Sequence, residues 1–217
     1  MKYAAFFDLD HTLISINSGE ALLHRAYRNG VLSTRNLIHA YILALLYKAR
    51  ILDPLTLIER FGGWLARSKV SDIENLCREL VEKELIPALR PQMIREIKFH
   101  REQGAEVVML SSAIYPVGNL LSAYLEMPAV ICSELEVLDQ RYTGLPVGRF
   151  CFREEKLIRL KQYLQKNQYT LEDSYYYADS LDDLPVLQLV GHPVCVHPDR
   201  GLKKTALEHH WPILAGE

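Results

Sequence analysis

Two carboxylates two residues apart, Asp8 and Asp10, close the apolar and aromatic run Tyr3-Ala4-Ala5-Phe6-Phe7. Further along, Ser111 and Ser112 end the run Val107-Val108-Met109-Leu110, and Asp179, Asp182 and Asp183 follow Tyr175-Tyr176-Tyr177-Ala178. Lys156 falls between those two runs. Acids, hydroxyls and one ammonium are what phosphoryl transfer requires: charge to neutralise the equatorial oxygens, an in-line nucleophile and a proton donor for the leaving oxygen. Asp8 could attack phosphorus and form an acyl phosphate, splitting one difficult displacement into two. Asp10 could protonate the leaving group and then activate water. A hard cation such as Mg2+ takes one or two carboxylates beside phosphate oxygens and water, which Asp8 and Asp179 could supply. The Lys156 ammonium would act as a point charge on the phosphoryl group. Each residue alone has an ordinary explanation, because acids after strands are common turn formers and caps, and Lys156 lies among Arg153, Glu154, Glu155 and Arg159 as a solvated helix residue would. What turns the reading toward chemistry is that all of them fall at strand ends.

The elements that must position them are legible as a rhythm. Tyr3 to Asp8 reads as a central strand, buried on both faces, that delivers polar groups at its C-terminal end. From Ser18 to Pro87 strand signals nearly vanish, and amphipathic stretches appear over 19–29, 34–49, 54–66 and 71–85. Ser33, Asp53 and Ser71 are candidate N-caps, and Gly30 and Gly62-Gly63 candidate breaks. The apolar stretch Leu37 to Tyr47 is expected to be a buried helix, since it is far shorter than the ~20 residues a membrane span needs. After Pro91, helix and strand alternate: helix 91–103 with Gly104 behind it, then strands 106–111, 129–132, 174–178 and 193–196, with helices 153–165 and 183–189 among them. Residues 135–152 read as a β-hairpin. Alternation of this kind predicts an α/β fold, a Rossmann-like parallel sheet with helices on both faces, plus an all-helical cap inserted after the first strand. The expected domains are a core of 1–13 and 88–217 and a cap of 14–87. In such sheets ligands bind beyond the carboxyl ends of the strands, where these acids and hydroxyls fall.

Composition narrows the alternatives. Of 217 residues, 49% are hydrophobic and 24% charged, as in globular proteins, and 25 basic against 27 acidic side chains leave a formal charge of −2. Such a balance exerts no pull toward nucleic acid or anionic membranes. Cys77, Cys132, Cys151 and Cys195 form no CxxC pair, so neither a zinc site nor a disulfide framework is expected. Acidic residues directly after the short N-terminal apolar run do not suit a secretory signal, and a cytoplasmic enzyme is expected.

Ordered along the chain, these motifs resemble the haloacid dehalogenase superfamily of phosphatases, and within it the phosphoserine-phosphatase-like subfamily (IB), whose helical cap follows the first strand. FFDLDHT matches the first motif, which implies Asp8 as nucleophile, Asp10 as general acid/base and Thr12 as support for the loop and the substrate phosphate. VVMLSS matches the second and makes Ser111, with Ser112 beside it, a phosphate ligand. Lys156 matches the third. ADSLDDLP matches the fourth, giving Asp179 as metal ligand with Asp183 beside it, so the implied Mg2+ site comprises Asp8, Asp10, Asp179 and Asp183.

Two departures bear on substrate. The subfamily's amino-acid-contacting glutamate, nine residues past the nucleophile, is replaced by Asn17, with Glu20 one helical turn further on. In addition, Asp182 stands where the fourth motif usually carries asparagine. An extra carboxylate near an anionic substrate calls for a compensating cation, from the metal or from the substrate itself. The expected partner is therefore a small-molecule phosphomonoester, amine-bearing, such as phosphoserine or histidinol phosphate, bound by a monomer or homodimer. Cap residues Asn17, Glu20, His24, Arg60 and Phe61 are the candidate specificity determinants. A phosphotransferase, a phosphoprotein phosphatase and a catalytically silent phosphate-binding module are the other readings of the same residues.

Overall fold

The computed structural model describes residues 2–48 and 63–214; the expectations for Asp53, Arg60, Phe61 and Gly62 lie outside the described residues. Strand β1 (Ala4–Phe7) has all four residues buried, as a central strand covered on both faces must. It pairs in parallel with β2 (Glu106–Ile114) on one side and β6 (Tyr175–Ala178) on the other. β3 (Ala129–Ser133), β7 (His192–Val196) and β8 (Ile213–Leu214) complete a parallel sheet of order β3-β2-β1-β6-β7-β8. The chain steps outward from β1 to β3, returns, and steps outward again from β6 to β8. The reversal falls between β1 and β6, where connecting loops diverge and leave a crevice at the carboxyl ends.

Side-chain alternation divides the core. Ala5, Phe7, Val107, Met109 and Tyr177 point to one face, and Ala4, Phe6, Val108, Leu110 and Tyr176 to the other. Phe7 stacks on Tyr177 with ring centroids 4.4 Å apart, fixing β1 against β6 at the level of the site.

Between β1 and β2 lie α1 (Ser18–Arg28), α2 (Thr34–Lys48) and α3 (Val70–Leu80), the last continuing through a wider turn at Val81–Leu85. Leu22, Leu23 and Ala26 of α1 and Ile73, Leu76 and Cys77 of α3 belong to the same apolar cluster as Phe7 and Met109, so the sheet's core runs on into these helices. The hairpin expected over 135–152 is β4 (Leu135–Leu138) and β5 (Arg141–Pro146), joined by Asp139 and Gln140, both at positive φ as a two-residue hairpin loop requires. It pairs with the segment leading into α3: Tyr142 N–H donates to Ser68 O at 3.0 Å and Arg67 N–H to Tyr142 O at 2.8 Å. The remaining helices are α4 (Pro91–Glu102), α5 (Tyr115–Tyr124), α6 (Glu154–Asn167), α7 (Leu184–Leu187) and α8 (Arg200–Glu208).

Two local expectations are corrected. Ser33 does cap α2, accepting from Asn36 N–H, but α3 is preceded by Lys69, and the Ser71 hydroxyl meets Asp72 instead. Helix α2 is not buried: Leu43 is, whereas Ile38, Tyr41, Ile42 and Leu45 are exposed. Its apolar residues run all the way round, so its composition carries no stripe to say which side faces the core.

Candidate active site

The ladder between β1 and β6 extends one residue past the strand, since Asp8 N–H donates to Tyr177 O at 3.0 Å; this seats Asp8 at the switch point with its carboxylate buried. The chain then makes one wide turn over Leu9–Leu13, closed by Ile14 N–H to Leu9 O at 3.1 Å, with His11 in the left-handed region at φ 56°. That turn sends Asp10 toward α1, where Asp10 Oδ1 accepts Ser18 N–H at 2.7 Å from the helix's first turn. A carboxylate at a helix N-terminus is favourably placed. Thr12, fully buried, donates to Asp179 Oδ1 at 3.4 Å.

Lys156, in the first turn of α6, is buried, and its three protons are all used. Its Nζ lies 2.8 Å from Asp8 Oδ1, 2.7 Å from Asp183 Oδ1 and 3.2 Å from the Tyr176 hydroxyl. Tyr176 in turn donates to Asp183 at 2.7 Å. Carboxylate oxygens of Asp8, Asp179 and Asp183 all lie within 4.8 Å of one another. Burial pushes the Asp8 carboxyl up to about 7, with Lys156 opposing and Asp183 and Asp10 adding repulsion. Burial likewise raises Asp179 to about 8, and its acidic neighbours Asp8 and Asp183 add to it. Among the described residues one ammonium, that of Lys156, pairs with Asp8 and Asp183, and Asp179 has no cation within ion-pair distance. A buried, all-oxygen donor set short of cationic charge fits a hard divalent ion such as Mg2+, and it does not fit zinc, which favours nitrogen and sulfur.

Most of the expected residues meet here. Asp10, expected among the metal ligands, is not one of the three clustered carboxylates among the described residues; its Oδ1 accepts from Ser18 N–H. Ser111 is buried within β2, which runs on to Ile114 past the end expected at 111; it lies two residues beyond Met109, the last residue paired with β1, and its Oγ accepts Ala113 N–H at 3.2 Å, which leaves its proton for another acceptor. Ser112 turns its carbonyl to the Ser133 hydroxyl. Asp182 does not need a substrate cation: Arg153 Nε donates to its Oδ1 at 2.8 Å and Nη2 contacts the same oxygen. The compensating charge comes from within the chain, and the extra acid says nothing about the substrate.

Asn17, Glu20 and His24 line one cavity of about 440 Å³ together with Tyr41 and Glu84. It opens beside the Leu9–Leu13 turn, since Asn17 immediately precedes Ser18, whose N–H holds Asp10. Asn17 caps α1 by accepting Glu20 N–H at 2.9 Å. His24 Nε2 lies 2.7 Å from the Tyr41 hydroxyl and 4.0 Å from Glu20. Glu84 is bound by Arg25 and Arg28, whereas Glu20 faces no Lys or Arg within ion-pair distance among the described residues. The sequence reading missed Tyr176, Tyr41 and Glu84. Strand alternation could have placed Tyr176 on the face opposite Tyr177, but Tyr41 and Glu84 reach the cavity only through the packing of α1 against its neighbours.

A parallel α/β sheet whose switch point gathers buried acids and a lysine defines the scaffold of a hydrolase. The model of the haloacid dehalogenase-like hydrolases matches residues 5–188, and the chain belongs to that family. A histidinol-phosphatase of Neisseria meningitidis is 32% identical over 225 residues, covering 99% of both chains. A probable phosphatase of Mycobacterium tuberculosis is 30% identical over 223 residues, covering 99% of this chain and 75% of the relative. Among solved structures, a protein of unknown function from Bordetella pertussis superposes with a TM-score of 0.91 at 26% identity, covering 99% of each chain. A substrate-bound phosphoserine phosphatase superposes at 0.74 and 16% identity, covering 99% of this chain and 93% of that one, a likeness of fold.

Proposed function

We propose that this chain is a Mg2+-dependent phosphatase of small phosphomonoesters that works through an aspartyl-phosphate on Asp8. The observation that carries the reading is the buried trio of Asp8, Asp179 and Asp183 bridged by Lys156, at the carboxyl end of the sheet's central strands. Asp8, Asp179 and Asp183 would hold the ion, which when bound supplies positive charge to the phosphoryl oxygens. Lys156 fixes the Asp8 carboxylate and adds its own charge to the same oxygens. Ser111 and Ser112 are the candidate hydroxyl donors to the phosphate, and Thr12, expected with them, gives its proton to Asp179. Asp10 sits two residues from the nucleophile, where it gives a proton to the leaving oxygen and later takes one from water.

Residues 14–87 act as the cap, and the cavity along α1 receives the leaving group. Its Asn17, Glu20 and His24 favour a polar, cationic group. The histidinol-phosphatase relative supports histidinol phosphate as the first candidate, with phosphoserine as the second amine-bearing ester. No helix among the described residues is long and apolar enough to cross a membrane, and the four cysteines are free and buried, which suits a cytoplasmic enzyme.

The test is a panel of phosphomonoesters, including histidinol phosphate, phosphoserine and a generic aryl phosphate, assayed with and without Mg2+ in the wild type and in Asp8→Asn. Mg2+-dependent phosphate release that disappears in Asp8→Asn is expected. Absence of turnover on every ester, or full activity in the variant, overturns the reading.

A further inference from the structure

Arg90 stands where local electrostatics should disfavour it. It is the residue before Pro91 at the start of α4, so its guanidinium lies at the positive end of a helix, where, having donors and no acceptor, it can make no capping bond. His197 is close enough to feel its charge, and Arg90 makes no ion pair among the described residues. Its side chain instead reaches back across the chain: Arg90 Nε donates to the His11 carbonyl at 3.3 Å. A residue that violates a local rule without a local gain is a candidate for a functional constraint.

His11 is the strained residue of the nucleophile turn. A non-glycine residue at φ 56° is disfavoured and persists only where its surroundings hold it. Two contacts do so, His11 N–H to Ile16 O at 3.3 Å and the Arg90 bond to His11 O. The peptide whose carbonyl Arg90 holds leads directly into Thr12, whose hydroxyl points at Asp179, and the same turn sets the direction of Asp10.

Arg90 also belongs to the returning linker. Its backbone N–H donates to Leu13 O at 2.9 Å, Leu89 bridges Ile14 in antiparallel fashion, and Ser15 N–H donates to Ala88 O at 2.9 Å. The outgoing and returning segments thus form a short two-stranded ribbon between the sheet and the inserted helices, and Arg90 sits at its sheet end.

We propose that Arg90 is a positioning residue: from the returning linker it holds the His11 carbonyl, and so keeps the left-handed turn that orients Asp10 toward the reacting phosphate and Thr12 toward Asp179. This rests on the reading of Asp8 and Asp10 as the reacting carboxylates. Through Arg90, the ribbon's position and the geometry of the turn are coupled, so a displacement of the linker is felt at the catalytic acid.

The experiment compares wild type, Arg90→Ala, Arg90→Lys and Asp8→Asn on one aryl phosphate, whose small leaving group makes few contacts in the cavity. Misplacing a reacting group by about 1 Å can cost on the order of 100-fold. Arg90→Ala should therefore lose about 10- to 100-fold in kcat with KM within about threefold, with its unfolding midpoint within a few degrees of wild type. Arg90→Lys should fall between, and millimolar guanidinium should restore part of the Arg90→Ala rate. Wild-type kcat in Arg90→Ala, with Asp8→Asn inactive, sinks this proposal and leaves the phosphatase reading standing. So does a loss in Arg90→Ala that disappears when both proteins are assayed well below their unfolding midpoints, since that is loss of fold alone. Activity in Asp8→Asn sinks the reading beneath it.

Discussion

Lys156 Nζ lies 2.8 Å from Asp8 Oδ1, a contact between residues 148 positions apart in which both side chains are almost wholly buried. The same ammonium holds Asp183, so one cation keeps two buried carboxylates in place. Breaking a buried ion pair by removing one partner typically costs about 3–5 kcal/mol, because the other charge is left uncompensated. Lys156→Met should lose stability of that order, read by urea denaturation of the metal-free protein. It should also lose at least about 100-fold in kcat, as expected when a preorganised charge is taken from developing phosphoryl oxygens. A variant of wild-type stability would mean that Asp8 and Asp183 are solvated in a way these contacts do not allow.

Asp179 carries the opposite balance. Burial and the nearby Asp8 and Asp183 raise its carboxyl to about 8, and no cation of the chain lies within ion-pair distance of it among the described residues. In the metal-free protein Asp179→Asn should therefore be neutral or stabilising by about 1 kcal/mol, the reverse of Lys156→Met. With Mg2+ the ranking should invert. A ligand at 100 times its Kd stabilises by about 2.7 kcal/mol, a gain the wild type should show and Asp179→Asn should lack. Thermal unfolding with and without Mg2+ measures both; an equal Mg2+ shift in the two proteins would remove Asp179 from the ion's ligands.

How much of this was readable beforehand depended on distance along the chain. Asp8 and Asp10 are legible because strand, turn and acids are contiguous, and Asp179 and Asp183 for the same reason. Lys156 was singled out by order in the chain, and nothing local separates it from Arg153 and Arg159. Only the rotation of α6 turns it inward, while Arg153 takes Asp182 and Arg159 takes the carbonyls of Cys132 and Arg149. Asp182 misled for that reason: a charge's partner 29 residues away leaves no mark in the motif. Helix α2 misled because hydrophobicity without periodicity gives no direction. β8 is two residues long, and its place beside β7 comes from tertiary packing alone.

Glu20 tests the cavity. Its carboxylate is exposed and, among the described residues, meets only His24 within ion-pair distance, at 4.0 Å, so an ammonium or imidazolium on the leaving group would find it available. Exposed ion pairs are worth up to about 1 kcal/mol, a factor of about five. Glu20→Gln should raise KM for histidinol phosphate or phosphoserine by about three- to fivefold and leave KM for an aryl phosphate with an uncharged leaving group within about twofold. An equal effect on both kinds of ester would mean that Glu20 supports α1 and does not read the leaving group.

On the sheet face that carries Phe7, His100 is buried within a chain of hydrogen bonds. The Tyr177 hydroxyl donates to Glu96 at 2.8 Å, so His100 Nε2 must donate to that hydroxyl at 2.8 Å, and Nδ1 then accepts from Tyr3 at 2.9 Å. The ring is satisfied only as the neutral tautomer. Burial, with His192 nearby, depresses its titration to about 4. Below the ordinary histidine value of about 6.5 the unfolded chain takes up a proton that the folded one refuses, so this group's contribution is complete above that pH. It is lost as pH falls from about 6.5 to about 4, by up to roughly 3 kcal/mol at the acid end. His100→Gln should be less stable than wild type at pH 7, because the donor and acceptor pair is imperfectly replaced, and should lose less stability between pH 6.5 and 4. Urea midpoints across that range decide it: parallel profiles in the two proteins would place the acid sensitivity elsewhere, and a wild-type profile flat to pH 4 would mean that the imidazole is charged in the folded state and that Tyr177 or Tyr3 accepts its proton.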